Sequence, residues 1–175
     1  MDSTNPANTS ILPLKNSEFF LALYEGGLPF MMKKANLESV GFENFGWINS
    51  AFSAHPKVDP ENGDIFNIGT DFSKETLQLL HSTKEMKKIK EGSLKLRSLQ
   101  SIHDFCLAGD YIVILECPMI FSLLRLIFQS TFKSIKYDES YPTLVHVFRK
   151  SDFSLVKTIE HESYYVFHFA NGYSQ

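Results

Sequence analysis

The sequence lacks the features of several large classes of protein. It has only two cysteines among 175 residues, Cys106 and Cys117, too few for a disulfide framework and consistent with a reducing compartment. The net charge is −3, so the chain lacks the excess of Lys and Arg that nucleic-acid binding requires, and we expect no nucleic-acid partner. No apolar run approaches the roughly 20 residues of a membrane-spanning helix. Strands do not alternate with long helical patterns, which argues against a parallel α/β sheet.

The chain is instead rich in short β-prone runs. Sixteen Phe and seven Tyr give a high aromatic share, which suits strands, and a hydrophobic content of 43% fits one domain with a sizeable core. Both cysteines lie among apolar neighbours and are expected in that core. Residues 33–50 are expected to be loop, with a turn at Gly41. Short strands separated by polar turns predict an all-β sandwich, barrel or propeller. The predicted strands are 19–24, 64–70, 75–81, 111–115, 143–148, 153–156 and 164–169.

One stretch, 119–129, departs from this strand pattern. It is apolar except at Ser122, Arg125 and Gln129, whose spacing of three and four residues places them on one stripe of a helix. A core helix packed on the sheet and an interfacial membrane helix both fit this spacing. The lysines that follow, and the position of the stretch within an all-β chain, favour the membrane helix slightly.

Three of the six histidines lie beside short apolar runs and next to turn-forming or strand-ending residues. His55 precedes Pro56 and the turn-forming stretch Asp59–Gly63, which would fix the direction of its imidazole. Taken alone, His55 is better explained as a solvated residue of a hairpin. His103 and His168 lie in similar settings, which changes that balance. The remaining three, His81, His146 and His161, are expected to be structural or exposed.

The spacing of these three histidines is compatible with one per propeller blade. His55 and His103 are 48 residues apart and His103 and His168 are 65 apart, whereas a blade takes about 40–50 residues. The second interval is longer by about the length of the apolar insertion. Three neutral imidazoles delivered to one axis would suit Fe, Zn or Cu. His103 and Cys106 could instead begin a zinc site, although no second pair at a suitable spacing follows.

The chain resembles the carotenoid oxygenase family, which includes carotenoid cleavage dioxygenases, apocarotenoid oxygenases and the retinal pigment epithelium isomerase. Five motifs carry the resemblance, in the family's order and at similar spacing, and the form of residues 101–117 is closest to bacterial members. The motifs are Pro6–Ser10, Leu21–Pro29, Phe52–Pro60 with Gly63, Ile102–Phe105 and Phe167–Tyr173.

The resemblance implies a seven-bladed β-propeller whose axial histidines hold a non-haem Fe(II). His55, His103 and His168 match three of the family's four ligands, and Glu25 matches a carboxylate that hydrogen-bonds a ligand histidine and so orients it. The implied reaction adds O2 across a conjugated double bond of a carotenoid or apocarotenoid and gives two carbonyl products.

The family also docks to membranes through an apolar segment that follows its second histidine. Residues 119–132 occupy that place here, so the resemblance strengthens the prediction of a short amphipathic helix that contacts a membrane surface. Because the polar N-terminus has no signal-peptide pattern, we expect a cytoplasmic, peripherally membrane-associated protein. The expected docking residues are Phe121, Leu124, Leu126, Ile127 and Phe128.

The chain departs from the family in length. Residues 1–175 are expected to be a fragment of a single propeller domain, truncated at both ends, with about three to four blades and without the fourth histidine. We therefore expect the isolated chain to have little or no activity. The alternatives are an inactive apocarotenoid- or membrane-binding remnant, and one part of a split enzyme whose second chain carries the missing blades. Neither the carotenoid nor the bond attacked follows from the sequence, nor does cleavage rather than isomerisation.

Overall fold

The computed structural model describes residues 5–98, 100, 102–121 and 134–174. It contains two compact units. The first comprises Met1–Asp71 and Leu77–Leu94, and the second comprises Phe72–Thr76 and Lys95–Gln175. Both are built of antiparallel strands, as the sequence predicts.

The first sheet, in the first unit, is a simple meander with the strand order β1-β2-β3-β4. Strand β2 falls within the predicted run 19–24, and its alternate residues Leu21 and Leu23 lie in the hydrophobic core. The expectation that 33–50 is loop is wrong in part, because β4 and the end of β3 lie there. Strand β4 is short, mostly exposed and interrupted by Gly41, so it has no alternating pattern to reveal it. The strands are β1 (Ser10–Pro13), β2 (Phe19–Leu23), β3 (Phe30–Lys33) and β4 (Ser39–Phe42).

The second sheet has the order β5-β6-β7-β8 and lies mostly in the first unit. Its two long inner strands confirm the predictions at 64–70 and 75–81, each displaced by one residue. Strand β6 is buried along almost its whole length, including the polar side chains of Asn67 and Thr70. The strands are β5 (Lys57–Val58), β6 (Ile65–Asp71), β7 (Thr76–Ser82) and β8 (Lys88–Lys95).

One hydrophobic cluster joins the elements of the first unit. Leu21 and Leu23 of β2 are fully buried, and Phe52 and Ile48 from the loop before β5 are each 1% exposed. Trp47 packs at the margin of this cluster and donates its indole N–H to the carbonyl of Met86 at 2.9 Å. The aromatic ring is thereby buried with its polar atom paired.

The second unit contains a four-stranded sheet of order β14-β13-β10-β9 and a two-stranded sheet of β11 and β12. Strands β10 and β13 confirm the predicted runs 111–115 and 143–148, and their inner residues Ile112, Ile114 and Phe148 are buried. Both cysteines are buried, as expected. In contrast, every residue of β14 is exposed. The strands are β9 (Cys106–Ala108), β10 (Tyr111–Glu116), β11 (Met119–Phe121), β12 (Ile135–Tyr137), β13 (Thr143–Arg149) and β14 (Leu155–His161).

The predicted strand at 164–169 is absent, since the described residues from 162 to 174 contain no strand. Side chains, rather than a neighbouring strand, bind this backbone. The Thr143 hydroxyl donates to the carbonyl of Tyr164 at 2.9 Å and accepts from its N–H at 3.1 Å. The N–H of Phe169 donates to the carboxylate of Asp104 at 3.0 Å. A β-prone sequence therefore stays extended without joining a sheet.

The helix expected at 119–132 does not begin at 119. Residues 119–121 form β11, in which Met119 pairs with Tyr137 and Phe121 with Ile135, so their backbone follows a strand. The rest of the predicted helix, with Leu124, Leu126, Ile127 and Phe128, lies outside the described residues. Within the described part of the chain, no helix has the length and apolar character to cross a bilayer.

Candidate metal centre

His55 lies in the first unit, in a loop that is fastened to strand β6. The N–H of Ser53 donates to the carbonyl of Ile68 at 2.8 Å, and the Asn67 amide donates to the carbonyl of Ser53 at 3.1 Å. The Ser10 hydroxyl donates to the carbonyl immediately before His55. The Ser53 hydroxyl also accepts the N–H of His55 at 3.1 Å, which closes a local turn. These bonds fix the backbone at the half-buried histidine.

Gly69 permits the loop to lie this close to β6. A Cβ atom at residue 69 would lie 1.7 Å from the carbonyl oxygen of Ala51 and 2.8 Å from the hydroxyl of Ser50. Only a residue without a side chain fits at this point of the strand. The position of the loop before His55 therefore depends on a glycine in the neighbouring strand.

The other three histidines are paired within their own unit or exposed, as the sequence predicts. His146 is 4% exposed, with Nε2 2.9 Å from a carboxylate oxygen of Glu116 and Nδ1 3.0 Å from the hydroxyl of Thr158. In the first unit, Nε2 of His81 lies 3.0 Å from the carboxylate of Asp64. His161 is exposed at the end of β14.

His103 and His168 meet within the second unit. Their Nε2 atoms are 3.2 Å apart, and their ring centroids are 5.0 Å apart with the rings inclined at 70°. Phe167 packs against the ring of His103 with an edge-to-face geometry at 5.4 Å between centroids. Neither histidine lies in a strand, so both rings are carried by loops.

The distance between the two Nε2 atoms is compatible with a shared metal ion as well as with a hydrogen bond. Two imidazole nitrogens bound to one ion at about 2.0–2.1 Å, with an angle of about 90–110° between them, lie about 2.9–3.4 Å apart. The observed 3.2 Å falls within that range. Imidazole nitrogen is a ligand for Fe, Zn and Cu, so the donor atoms are also of the right kind. His103 and His168 therefore form a candidate half-site for a transition metal.

The thiols near this pair are poor metal ligands. Burial raises the pKa of Cys117, and the neighbouring Glu116 carboxylate adds to that effect, so the thiol stays protonated at neutral pH. It lines a small cavity with His103 that has room for about one water molecule. The Cys106 thiol is buried, points to the carbonyl of Leu107, and packs where a side chain on Gly172 would lie. Packing therefore explains the position of Cys106 without the zinc alternative.

The predicted metal ligands and Glu25 are divided between the two units. The structure brings His103 and His168 together in the second unit. His55 and Glu25 belong to the first unit, where Glu25 is half-buried in the turn after β2. The role of Glu25 towards a ligand histidine stays a prediction.

Asp104 is the neighbour of this site that the sequence reasoning did not select. Its side chain is buried and accepts the N–H of the residue after His168. The only signal in the sequence for this role is that Asp104 directly follows His103.

Comparison with solved structures identifies the class of fold. The described residues form three four-stranded sheets. A four-stranded antiparallel sheet is the repeating element, or blade, of a β-propeller. A solved structure of cobalt-substituted Synechocystis ACO superposes with a TM-score of 0.84 at 25% identity, covering 98% of this chain and 38% of that one. The Pseudomonas brassicacearum lignostilbene dioxygenase superposes with a TM-score of 0.80 over 91% of this chain and 34% of that one, at 24% identity. The prediction of a partial β-propeller is confirmed.

The family follows from the sequence comparison. The sequence model of the family described as retinal pigment epithelial membrane protein (RPE65) matches residues 1–175, and this chain belongs to that family. The apocarotenoid-15,15'-oxygenase of Synechocystis is 27% identical over 98% of this chain and 37% of its own length. The 9-cis-epoxycarotenoid dioxygenase NCED6 of Arabidopsis thaliana is 32% identical over 61% of this chain and 19% of its own. This chain thus spans little more than a third of the first of these relatives.

Proposed function

We propose that this chain is part of a non-haem Fe(II) dioxygenase that cleaves a conjugated carbon–carbon double bond of a carotenoid or apocarotenoid. The observation that carries the proposal is the paired Nε2 atoms of His103 and His168 in a chain whose whole sequence matches the oxygenase family. His55 is the third proposed ligand, and Glu25 is the proposed carboxylate that orients a ligand ring.

The proposed reaction balances without an external reductant. One carbon–carbon double bond and the O–O bond break, and two carbon–oxygen double bonds form, so both atoms of O2 enter the products. Bound iron would supply the activation of O2. The chain's own contribution is to hold the imidazoles in place and to set the exposed aromatic ring of Phe167 against His103, where it would contact an apolar polyene.

A stilbene is the second candidate substrate. The resveratrol cleavage oxygenase 1 of Chaetomium globosum is 30% identical over 61% of this chain, and the lignostilbene dioxygenase shares its fold. A stilbene and an apocarotenoid both present an extended apolar molecule with a conjugated double bond, so product analysis must distinguish them.

Metal content is the primary test. The purified chain, loaded anaerobically with Fe(II) and desalted, is expected to retain iron in proportion to protein, and His103→Ala or His168→Ala is expected to lose it. His161→Ala is the matched control, because His161 is exposed on β14. Pigment binding without metal would replace this proposal with the inactive remnant.

Activity is measured next, with an apocarotenal or a stilbene under ¹⁸O₂ and mass spectrometry of the carbonyl products. We expect little or no turnover by the 175-residue chain alone. Iron-dependent loss of the carotenoid absorbance band, abolished by His103→Ala, would overturn that expectation. Restored turnover on mixing with a second chain that carries further blades would support a split enzyme.

Peripheral membrane association is part of the same proposal. The apolar residues at 119–132 support it through their sequence pattern. Co-sedimentation with liposomes is expected for the natural sequence and is expected to be reduced in Leu124→Glu. Equal sedimentation of both proteins would contradict this part of the proposal.

A further inference from the structure

We propose that Asp104 is a positioning residue that clamps the two loops carrying His103 and His168, and so sets the separation of their rings. This inference rests on the proposed function, in which both histidines are metal ligands. The loops have no strand pairing to hold them, and the two histidines are 65 residues apart in the chain. Some other contact must therefore join them.

Both carboxylate oxygens of Asp104 bind backbone. One accepts the N–H of Phe105 at 2.8 Å, and the other accepts the N–H of Phe169 at 3.0 Å. Phe105 lies two residues after His103, and Phe169 directly follows His168. The peptide after His168 is thereby tied to the residue after His103.

The burial of Asp104 makes this tie rigid. The residue is 5% exposed and Phe105 is fully buried, so water does not compete effectively for the bond to Phe105, and the bond to the half-buried Phe169 is partly shielded. Hydrogen bonds from backbone N–H groups to a carboxylate are charge-assisted and roughly twice as strong as neutral ones. A loop of eight or more residues without strand partners gains its fixed geometry at His168 from such a contact.

Asp104 acts through the backbone and is distinct from the metal ligands themselves. Its oxygens face backbone N–H groups, whereas the ring nitrogens of His103 and His168 face each other. The corresponding role of orienting a ligand is usually filled by a carboxylate that binds the imidazole directly. Here the carboxylate would fix the peptides next to the imidazoles.

The test compares Asp104→Asn with Thr143→Val in the full 175-residue chain. Asn keeps the size of the side chain but has only one acceptor oxygen, so one N–H faces an amide NH2 group. Thr143→Val is the matched control, because it removes the two bonds that hold Tyr164 in the same loop without touching the His103 segment. Co²⁺ binding is measured from its visible absorption, and melting temperature is measured for each variant.

We expect Asp104→Asn to weaken Co²⁺ binding about 10- to 100-fold, the range seen when groups that orient metal ligands are removed. Thr143→Val should lower the melting temperature without changing Co²⁺ affinity. Equal Co²⁺ affinity in Asp104→Asn and the natural sequence, or an equal loss in both variants, would overturn the clamp. If Asp104→Asn does not fold, Asp104→Glu keeps the charge with one more methylene, and the same comparison applies.

A metal-free measurement separates this inference from the proposed function. Nuclear Overhauser contacts between the rings of His103 and His168, and slow exchange of the Phe169 N–H, are expected in the natural sequence and in Thr143→Val. Both should be lost in Asp104→Asn. If the natural chain binds no Co²⁺, the metal proposal fails, and these signals alone decide whether Asp104 positions the pair. Their persistence in Asp104→Asn would refute the clamp.

Discussion

Replacing Gly69 by alanine should displace the loop that carries His55. The added Cβ would lie 1.7 Å from the carbonyl oxygen of Ala51, and no flexible side chain is available to move aside. The loop must shift instead, and it is bound to β6 through Ser53 and Asn67. A single methyl group therefore acts on two hydrogen bonds and on the backbone before the histidine.

The expected cost can be worked from these contacts. Overpacking costs about 1–3 kcal/mol, and a clash with backbone belongs at the upper end of that range. Weakening the bonds to Ser53 adds about 1 kcal/mol for each. The sum is about 5 kcal/mol, which lowers the melting temperature of a chain of this size by about 10–20 °C.

Gly46→Ala provides the control. Gly46 has φ = 73°, and a Cβ there would contact nothing within 4 Å, so alanine pays only the conformational cost of about 1 kcal/mol. Differential scanning calorimetry should show the larger loss for Gly69→Ala, and metal retention should fall in that variant alone. A Gly69→Ala protein with unchanged stability and metal content would refute the reasoning.

Three further predictions concern titratable groups. Glu116→Ala should lower the free energy of unfolding by about 1–3 kcal/mol in urea titrations, because it leaves the buried Nε2 of His146 and the buried amide of Gln100 without their carboxylate partner; an unchanged free energy of unfolding would contradict this. Burial raises the pKa of Cys117, so its thiol should react slowly with a disulfide reagent at pH 7, and fast labelling would contradict this. Because the pKa is raised in the folded protein, the contribution of this thiol to stability should be fully present below the pKa of the unfolded thiol, 9.0, and should be lost as pH rises through the folded pKa. Hydrogen bonds from Lys136 and Ser140 lower the pKa of Asp138 to about 2, so its contribution is present above pH 3.8 and lost as pH falls towards 2. Lys136→Ala should raise this pKa in an NMR titration, and an unchanged value would rule out the Lys136 contact.

The sequence predicts those strands whose apolar residues show that they are buried. Strands β2 and β10 are largely apolar, β-prone and bounded by turn residues, so pattern and structure agree. Strand β4 was missed because backbone pairing, rather than burial of a face, defines it. The run at 164–169 was misassigned for the opposite reason. Its residues favour a strand, but the hydroxyl of Thr143 takes the place of a strand partner.

The candidate site was only partly predictable. The sequence singles out His103 and His168 because each lies beside a short apolar run and a turn or strand-ending signal, and the family motifs strengthen that prediction. Their contact at 3.2 Å depends on tertiary structure across 65 residues, which no local pattern encodes. The contact made by Asp104 is even harder to predict from the sequence. Its partner is a backbone N–H, a group that every residue except proline carries.

The exposure of β14 affects how this protein can be handled. Within the described residues its only hydrogen-bonded neighbour is β13, and Leu155 and Val156 are about half exposed. An open strand edge with apolar side chains can pair with the same edge of another molecule. Lys157 and Glu160 place charges along that edge, and such charges oppose the stacking that begins aggregation. Solubility in concentrated preparations should therefore depend on these two charges at least as much as on the stability of the fold.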